Sequence, residues 1–295
     1  MILIGIVTSA KVMYMKINEL FTLFLHEKSV YCSKSTITYY KNMLHKFNTF
    51  LEQSNIDDSK YINDTVLKSY ILSLRASDVK NTSIHTYFRA VKNLCSWAIL
   101  GGKMQPFNYK VALQRPDPDK ILPLSASEVD QIDDYIIKNC SDYDHKMLFF
   151  HLLLDCGLRS SEAINIRYCD FDEDSHILSI KNSKYNKSRL IPCPDRVFTL
   201  IDFPDNRDNL IFNFGDSGKS SFFARIKSHS GVKRVYPHLC RHTFATSYMM
   251  KRGNLEYLRR YMGHSSYDVT KIYIDSAFDC NILHYDIYKI DDIFS

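Results

Sequence analysis

Apolar residues recur at helical spacing in four runs along the first hundred residues. The first run covers residues 17–25, and the others start after Ser33 or Ser35, at Asn63 and at Asn81. Ser and Asn in front of an apolar run are typical of helix starts. The pattern therefore predicts a bundle of four amphipathic helices over residues 14–105.

Proline interrupts this pattern after the fourth helix. The stretch from Pro106 to Pro123 contains four of the eight prolines and has no apolar periodicity. Such a segment is typical of an extended connection between domains. It predicts a linker over residues 106–122 and a second domain over residues 123–295.

The second domain combines helical and strand-like patterns. Ser125 and Glu128 have the spacing of a capping box, and a nearly all-apolar run at 146–154 predicts a central helix. Pro237 opens a further helical pattern that continues to Met250. Ile177–Ile180 and Arg189–Pro192 alternate like two strands of a hairpin. The chain is thus predicted to be mainly α, with a helical first domain and a mostly helical α+β second domain that holds a small β-sheet.

The two ends of the chain carry weaker signals. Residues 1–13 begin with a short apolar run that lacks a preceding basic region, so a flexible N-terminus is favoured over a signal peptide. The run is too short to span a bilayer, and a cytoplasmic protein without membrane contact is predicted. Residues 274–295 alternate Asp with apolar side chains, which predicts an amphipathic acidic helix that could pack on its own domain.

Charge is distributed unevenly between the two predicted domains. Residues 1–120 contain 16 Lys and Arg against 9 Asp and Glu, whereas residues 121–295 contain 22 against 24. A basic first domain indicates binding to a polyanion. The eight cysteines include no C-x-x-C pair, which argues against a zinc site and a disulfide framework and favours a reducing compartment.

One segment imitates a nucleotide-binding loop. Residues Gly215 to Ser220 follow a strand-like run and end in Gly-Lys-Ser, but Asn213 stands where that motif requires glycine. ATP binding is therefore rejected, and the segment is interpreted as a turn before a helix at 220–227.

Several polar residues of the second domain suit phosphate chemistry without a metal. His238 and Arg241 are three apart and share a helix face, His264 follows a glycine in a turn, and Tyr273 comes nine residues later. Arg159 lies at a predicted helix start. Guanidinium and imidazole groups can bind phosphate oxygens, and a phenol can attack the phosphorus atom. Any one of these residues alone would more often be structural.

Four motifs together resemble one known family. They are Gly157-Leu-Arg159-Ser-Ser-Glu162, Lys184-x-x-Lys187-x-Arg189-Leu-Ile-Pro192, His238-x-x-Arg241-His242-x-Phe-Ala-Thr246, and Met262-Gly-His264-Ser265 followed by Tyr273. Residues 121–295 are similar in this order to the tyrosine recombinases of the phage integrase family, and most similar in pattern to Xer-type enzymes. The first domain resembles, by layout, the family's helical core-binding (SAM-like) domain.

The resemblance implies a role for each matched position. Tyr273 would attack the scissile phosphate to give a 3′-phosphotyrosyl link and a free 5′-hydroxyl. Arg159, Arg241 and His264 would bind the non-bridging oxygens. His238 would accept the proton of Tyr273.

Two further positions complete the implied site. Lys184 would protonate the departing oxygen, with Lys181 and Lys187 as competing candidates. Glu162 would hold an imidazole or a guanidinium in place. Because the covalent link retains the energy of the phosphodiester, no cofactor, metal or nucleotide is implied.

The implied partners are double-stranded DNA and further copies of the chain, as a tetramer on two DNA sites joined through the tail at 274–295. Integration, excision or dimer resolution would be the outcome. A type IB-like topoisomerase and a non-catalytic DNA-binding protein are the alternatives, and Tyr257, Tyr261 and Tyr267 compete as nucleophiles. The residues of the first domain expected to contact DNA are Lys34, Lys41, Lys46, Lys80, Arg89 and Lys92.

Overall fold

The computed structural model describes residues 12–107, 113, 121–181, 188–251 and 253–290. The chain divides into two compact units, Met1–Pro118 and Asp119–Ser295. Among the described residues, no helix has the length and apolar character that crossing a bilayer requires.

The first unit contains the four predicted helices. They are α1 (Ile17–Tyr31), α2 (Lys34–Gln53), α3 (Asp64–Ala76) and α4 (Asn81–Leu100). Ser33 caps α2 and Asn63 caps α3, each by accepting a hydrogen bond from a main-chain N–H of the first turn. Phe24, Phe47 and Tyr70 are fully buried between the helices. The mostly helical fold predicted from periodicity is therefore confirmed in this unit.

The ends of the first unit lie at the margin of the described residues. The main-chain N–H of Met13 donates to the carbonyl of Gly102 at 2.8 Å, so the last residue of the segment predicted to be flexible is tied to the end of α4. Residues 1–11 of that segment, and most of the predicted linker at 106–122, fall outside the described residues.

The second unit is mostly helical and includes a small sheet. Its elements are α5 (Ala126–Asn139), α6 (Tyr143–Leu154), α7 (Ser160–Ala163), β1 (Phe171–Asp172), β2 (Ile177–Ile180), β3 (Arg189–Pro192), α8 (Asp195–Phe198), α9 (Asp216–His229), α10 (Pro237–Met250), α11 (Leu255–Met262) and α12 (Tyr267–Ile282). Every side chain of α6 from Met147 to Leu154 is buried, so the predicted central helix lies in the core. The strands are antiparallel in the order β1-β2-β3, with Leu178 opposite Ile191.

Helix α9 begins earlier than predicted. The turn expected before residue 220 is already helical from Asp216, and the N–H of Lys219 donates to the carbonyl of Gly215 at 3.1 Å. Asp216 stabilises this start because a carboxylate in the first turn interacts favourably with the helix dipole. The glycine-rich stretch is thus the first turn of a helix.

Within residues 274–290, the described part of the predicted acidic tail, the helical residues belong to α12 and form no separate helix. Helix α12 continues from Tyr273 to Ile282, and residues 285–290 then return to their own unit. Ile287 pairs with Ser125, and Tyr288 Oη donates to Asp155 Oδ1 at 3.0 Å. Ile287, Tyr288 and Ile290 are buried, and this burial of apolar area favours packing within the chain. Residues 291–295 lie outside the described part.

Replacing Gly157 with alanine is expected to destabilise the second unit by about 2–5 kcal/mol, from left-handed backbone strain and overpacking. Gly157 has φ +58°, and a Cβ atom there would lie 2.5 Å from Cδ1 of Phe244. Urea or thermal unfolding measures the effect. Gly215→Ala is the control, because its Cβ would meet no atom within 4 Å. Equal losses in both variants would contradict the prediction.

Candidate active site

Five of the six residues predicted to be catalytic line one cleft in the second unit. Arg159, His238, Arg241, His264 and Tyr273 surround a volume of about 310 Å³. The remaining lining residues are Ile121, Tyr236, His242, Val269 and Ile272. Lys184 belongs to residues 182–187, which lie outside the described part of the chain.

Local sequence explains how each side chain reaches the cleft. Arg159 is the residue before α7, directly after the left-handed turn at Gly157. Pro237 begins α10 and places His238 and Arg241 in its first turns. Gly263, with φ +64°, ends α11 and turns the chain so that His264 follows at once. Tyr273 lies in the middle of α12.

Arg241 is buried and held by the main chain. Its guanidinium donates to the carbonyl oxygens of Gly157 and Met262, and its Nη2 lies 3.1 Å from His264 Nε2. Burial, followed by the charge of Arg159, lowers the pKa of Arg241 to about 9. The group remains protonated at neutral pH and is a fixed cation at the cleft.

Arg159 shares a carboxylate with a second arginine. Its Nη1 donates to Glu162 Oε1 at 3.0 Å and its Nη2 to the carbonyl of Gly263 at 3.0 Å. Arg189 donates to both oxygens of Glu162. Burial alone would raise the pKa of Glu162, but the hydrogen bonds and charge of Arg189 outweigh it and lower the pKa to about 2. Glu162 is therefore a carboxylate that holds two guanidinium groups.

His264 has a defined proton arrangement. Burial lowers the pKa of His264 to about 3, with a further contribution from the charge of Arg241, so the ring is neutral. Because a guanidinium only donates, Nε2 accepts from Arg241, and the ring proton lies on Nδ1, 2.9 Å from Thr270 Oγ1. Phosphate oxygens only accept, so Nε2 has to gain a proton before it can bind one. The Thr270 hydroxyl can partner Nδ1 in either state.

Replacing Thr270 with valine is expected to slow DNA cleavage about tenfold, because an unpaired buried ring nitrogen costs about 1–3 kcal/mol. Thr270→Ser keeps the hydroxyl and is expected to cleave at the wild-type rate. Both rates are measured under single-turnover conditions with enzyme in excess. A valine variant as fast as the serine variant would show that the hydroxyl is dispensable.

Tyr273 is buried and faces two imidazole rings. Its ring centroid lies 5.2 Å from that of His242 and 6.1 Å from that of His264. Burial raises the pKa of Tyr273, while the charges of Arg241 and Arg159 oppose this rise. The phenol is therefore protonated at neutral pH, and a protonated phenol needs a proton acceptor to act as a nucleophile.

His238 is suited to accept that proton. Its side chain is exposed at the cleft, and partial desolvation lowers its pKa, followed by the charges of Arg241 and Arg159. A lowered pKa keeps the imidazole neutral at pH 7, the form that can take up a proton.

The competing tyrosines lie outside the cleft. Tyr257 stacks on Tyr248, Tyr261 stacks on Phe244, and Tyr267 packs against Arg259, and none of the three tyrosines lines the cleft. Among the competing lysines, Lys181 pairs with Asp170 at 2.8 Å. Lys187, like Lys184, is outside the described residues.

Sequence reasoning gave no role to His242, Thr270 or Arg189. His242 is buried beside Tyr273, and burial lowers its pKa to about 4. Its spacing of four from His238 places both rings on one face of α10, and this signal could have identified it. Arg189 was recognised only as the first residue of a predicted strand, and no role was predicted for its side chain.

The residues predicted to contact DNA are exposed on the first unit, as phosphate contacts require. They are Lys34, Lys41, Lys46, Lys80, Arg89 and Lys92. Arg89 and Lys92 line a separate cavity of about 490 Å³ in this unit. Among the described residues, no group of three His, Cys, Asp or Glu side chains is arranged to hold a metal ion.

Two family profiles match this chain, one in each of its two units. The profile of the phage integrase family matches residues 123–279, and the profile of the phage integrase N-terminal SAM-like domain matches residues 19–102. The chain belongs to the phage integrase family. This confirms the resemblance seen in the sequence motifs, and the protein is a tyrosine recombinase that breaks and rejoins DNA in site-specific recombination.

Similar members of the family come from bacteria and a transposon. A tyrosine recombinase of Pseudothermotoga lettingae is 26% identical over 82% of this chain and 87% of its own length. Tyrosine recombinase XerC of Staphylococcus aureus is 25% identical over 82% of this chain and 86% of its own. The Tn1549 transposon integrase, solved in complex with transposon right-end DNA, has a TM-score of 0.66 at 18% identity, covering 92% of this chain and 100% of the solved chain. This last likeness confirms the fold.

Proposed function

We propose that Tyr273 of this phage integrase family member is the nucleophile of DNA strand cleavage. A bond forms between Tyr273 Oη and the scissile phosphorus while the bond from phosphorus to the 5′ oxygen breaks, leaving a 3′-phosphotyrosyl link. The phenolic proton passes to His238, and Lys184 supplies the proton that converts the departing oxygen to a 5′-hydroxyl. The convergence of two guanidinium groups, three imidazoles and this phenol on one cleft carries the proposal.

The cations of the cleft stabilise the transition state. Two planar guanidinium groups, Arg159 and Arg241, can each present paired N–H donors to the non-bridging oxygens. Arg241 is fixed before DNA binds, so little reorganisation is needed when charge develops on the phosphate. His264 adds a donor once Nε2 carries a proton.

Rejoining follows by the reverse reaction. A 5′-hydroxyl, from the same or another strand, attacks the phosphotyrosyl phosphorus and releases the Tyr273 phenol. The number of phosphoester bonds is the same before and after, so the cycle needs no external energy source. Strand exchange results when the attacking hydroxyl belongs to a second DNA site. We place this reaction in the cytoplasm, for integration and excision of an element or for dimer resolution.

A tetramer on two DNA sites is part of the proposal, with protomers joined through the segment at 274–295. Within this segment residues 285–290 pack on their own unit. The end of α12 instead exposes Phe278, Ile282 and Leu283, with Phe278 63% exposed. Exposed apolar side chains of this size favour a contact with a neighbouring protein. We therefore assign the contact between protomers to the end of α12.

Covalent complexes recovered from cells that make the protein test the chemistry. Peptide mapping is expected to find the nucleotide adduct on Tyr273, and sequencing of the attached DNA is expected to reveal one recurring site joined through its 3′ end. An adduct through the 5′ end, or on a different residue, would refute the proposal.

Plasmids carrying the recovered site test recombination. A plasmid with two sites is expected to recombine, while a plasmid with one site keeps its supercoils. Relaxation of the one-site plasmid without recombination of the two-site plasmid would instead identify an enzyme that nicks and reseals a single duplex. A variant truncated after Ile282 tests which part of the tail joins the protomers. It lacks residues 283–295 but keeps Phe278 and Ile282, most of the exposed apolar patch at the end of α12. If α12 forms the contact, this variant is expected to assemble on DNA; failure to assemble would assign the contact to residues 283–295.

A further inference from the structure

Arg189 forms a mostly buried ion pair behind the cleft. It is the first residue of β3, and its Nη1 and Nη2 donate to Oε1 and Oε2 of Glu162 at 3.0 and 2.7 Å. The side chains are 11% and 15% exposed. Arg189 is not among the residues that line the cleft, so it acts there only through its neighbours.

Glu162 receives four hydrogen bonds, two on each oxygen. Arg189 supplies two, and Arg159 supplies the others from Nη1 at 3.0 Å and from its main-chain N–H at 2.9 Å. A carboxylate has about four lone-pair sites, so Glu162 is saturated. The two guanidinium groups also lie side by side, since a Cβ atom on Gly263 would be 3.3 Å from Arg189 Nη1 and 3.4 Å from Arg159 Nη1.

This saturation limits how Glu162 can hold Arg159. A carboxylate and a guanidinium favour two parallel hydrogen bonds when no other partner competes. In this structure Arg189 has that geometry, and the Arg159 side chain contacts Glu162 through one nitrogen only. Without Arg189, both oxygens of Glu162 could accept hydrogen bonds from the Arg159 guanidinium. The N–H donors of Arg159 would then be occupied and its positive charge neutralised.

Arg189 also contributes charge to the cluster. Arg159 and Arg189 both pair with the single carboxylate of Glu162, so the three groups together carry one net positive charge. Burial is the main cause of the lowered pKa of Arg241, and the positive charges of Arg159 and Arg189 add to it.

We propose that Arg189 is a positioning residue for strand cleavage, which saturates Glu162 and so keeps the Arg159 guanidinium available to the scissile phosphate. The inference rests on the proposed role of Arg159. It assigns no contact with DNA to Arg189. Loss of Arg189 then slows the chemical step more than it weakens DNA binding.

Full-length Arg189→Met and Arg189→Lys variants test this on the DNA site recovered from covalent complexes. Adduct formation under single-turnover conditions is expected to fall about 10- to 100-fold in the methionine variant, the effect of a misplaced catalytic group. The lysine variant keeps the charge but not the paired donors and is expected to lie between. Arg260→Met is the control, since Arg260 is 76% exposed and also pairs with a glutamate. DNA affinity and unfolding midpoint are measured in parallel.

A double-mutant cycle with Glu162 distinguishes a positioning role of Arg189 from a general disturbance of the site. In a Glu162→Gln background the side chain at 162 no longer carries the charge that would draw Arg159 away. Arg189→Met is then expected to cause a smaller loss than it does with Glu162 present. An undiminished loss in this background would overturn the inference.

DNA with sulfur in place of the 5′ bridging oxygen shows whether the Arg189→Met variant is impaired at the leaving group or at the non-bridging oxygens. A thiolate leaves without a proton, so sulfur bypasses assistance to the leaving group. The Arg189→Met defect is expected to persist on this DNA, because it concerns the non-bridging oxygens. Full rescue by sulfur would assign the effect to the leaving group and contradict the inference.

The two proposals fail in different ways. If the wild-type protein forms no adduct, the proposed function is wrong. If it forms an adduct and the lysine variant, stably folded, matches its rate, the inference about Arg189 is wrong. The lysine variant keeps this test open even where the methionine variant unfolds.

Discussion

Replacing Tyr273 with phenylalanine is expected to eliminate the covalent DNA adduct and to leave DNA affinity unchanged. The substitution removes only Oη, and the ring that packs beside His242 and His264 stays in place. Without that oxygen no phosphoester can form. Denaturing gel electrophoresis of the protein with DNA containing the recovered site measures the adduct, and a binding assay measures affinity.

Tyr267→Phe is the matched control for this experiment. Tyr267 lies on the same helix, is 53% exposed, and does not line the cleft. Its variant is expected to form the adduct at the wild-type rate. An adduct that persists in Tyr273→Phe and disappears in Tyr267→Phe would move the nucleophile by six residues and refute the assignment.

Replacing Arg241 with lysine is expected to reduce the rate of adduct formation about 10²- to 10³-fold, the usual effect of losing a fixed donor to a developing charge. An ammonium group cannot reproduce the planar fork that reaches two carbonyl oxygens and His264 together. Carbonyl groups left without a donor cost about 1–3 kcal/mol each, so the unfolding midpoint should fall as well.

Arg260→Lys provides the comparison, because its guanidinium is exposed and lies away from the cleft lining. Single-turnover adduct formation and urea unfolding are measured for both variants. An Arg241→Lys enzyme that cleaves as fast as Arg260→Lys would show that the positive charge alone suffices at this position.

Local signals in the sequence were sufficient for much of the fold. Helix α10 ends at the predicted Met250, and β2 and β3 agree with the predicted hairpin strands residue by residue. Ser33 and Asn63 cap the helices that they were expected to start. These features depend on neighbours within a few residues, so periodicity and capping chemistry reveal them.

Features that depend on distant partners were not predicted. Strand β1 has only two residues, too few for an alternating pattern, and exists because it pairs with β2. The sequence also did not indicate which residues the segment 285–290 contacts, because its partners Ser125 and Asp155 lie more than 130 residues away. Gly215 and Gly218 have low helix propensity, so the sequence pattern did not indicate that α9 starts at Asp216.

In the candidate site, too, local motifs were predictable and contacts between distant residues were not. The order of the motifs identified five of the residues that line the cleft, because each motif marks its own position in the chain. It did not reveal that Glu162 binds Arg189, 27 residues further along the chain, or that Thr270 holds the ring of His264. Such pairs are set by how helices and strands meet in space, which no local spacing records.

The anchoring of Arg241 has a consequence for mutational tolerance. Its acceptors at Gly157 and Met262 are main-chain oxygens, which every amino acid possesses. A substitution at either position removes neither acceptor unless it displaces the backbone, as Gly157→Ala should. The orientation of this guanidinium is therefore insulated from most single amino-acid changes around it.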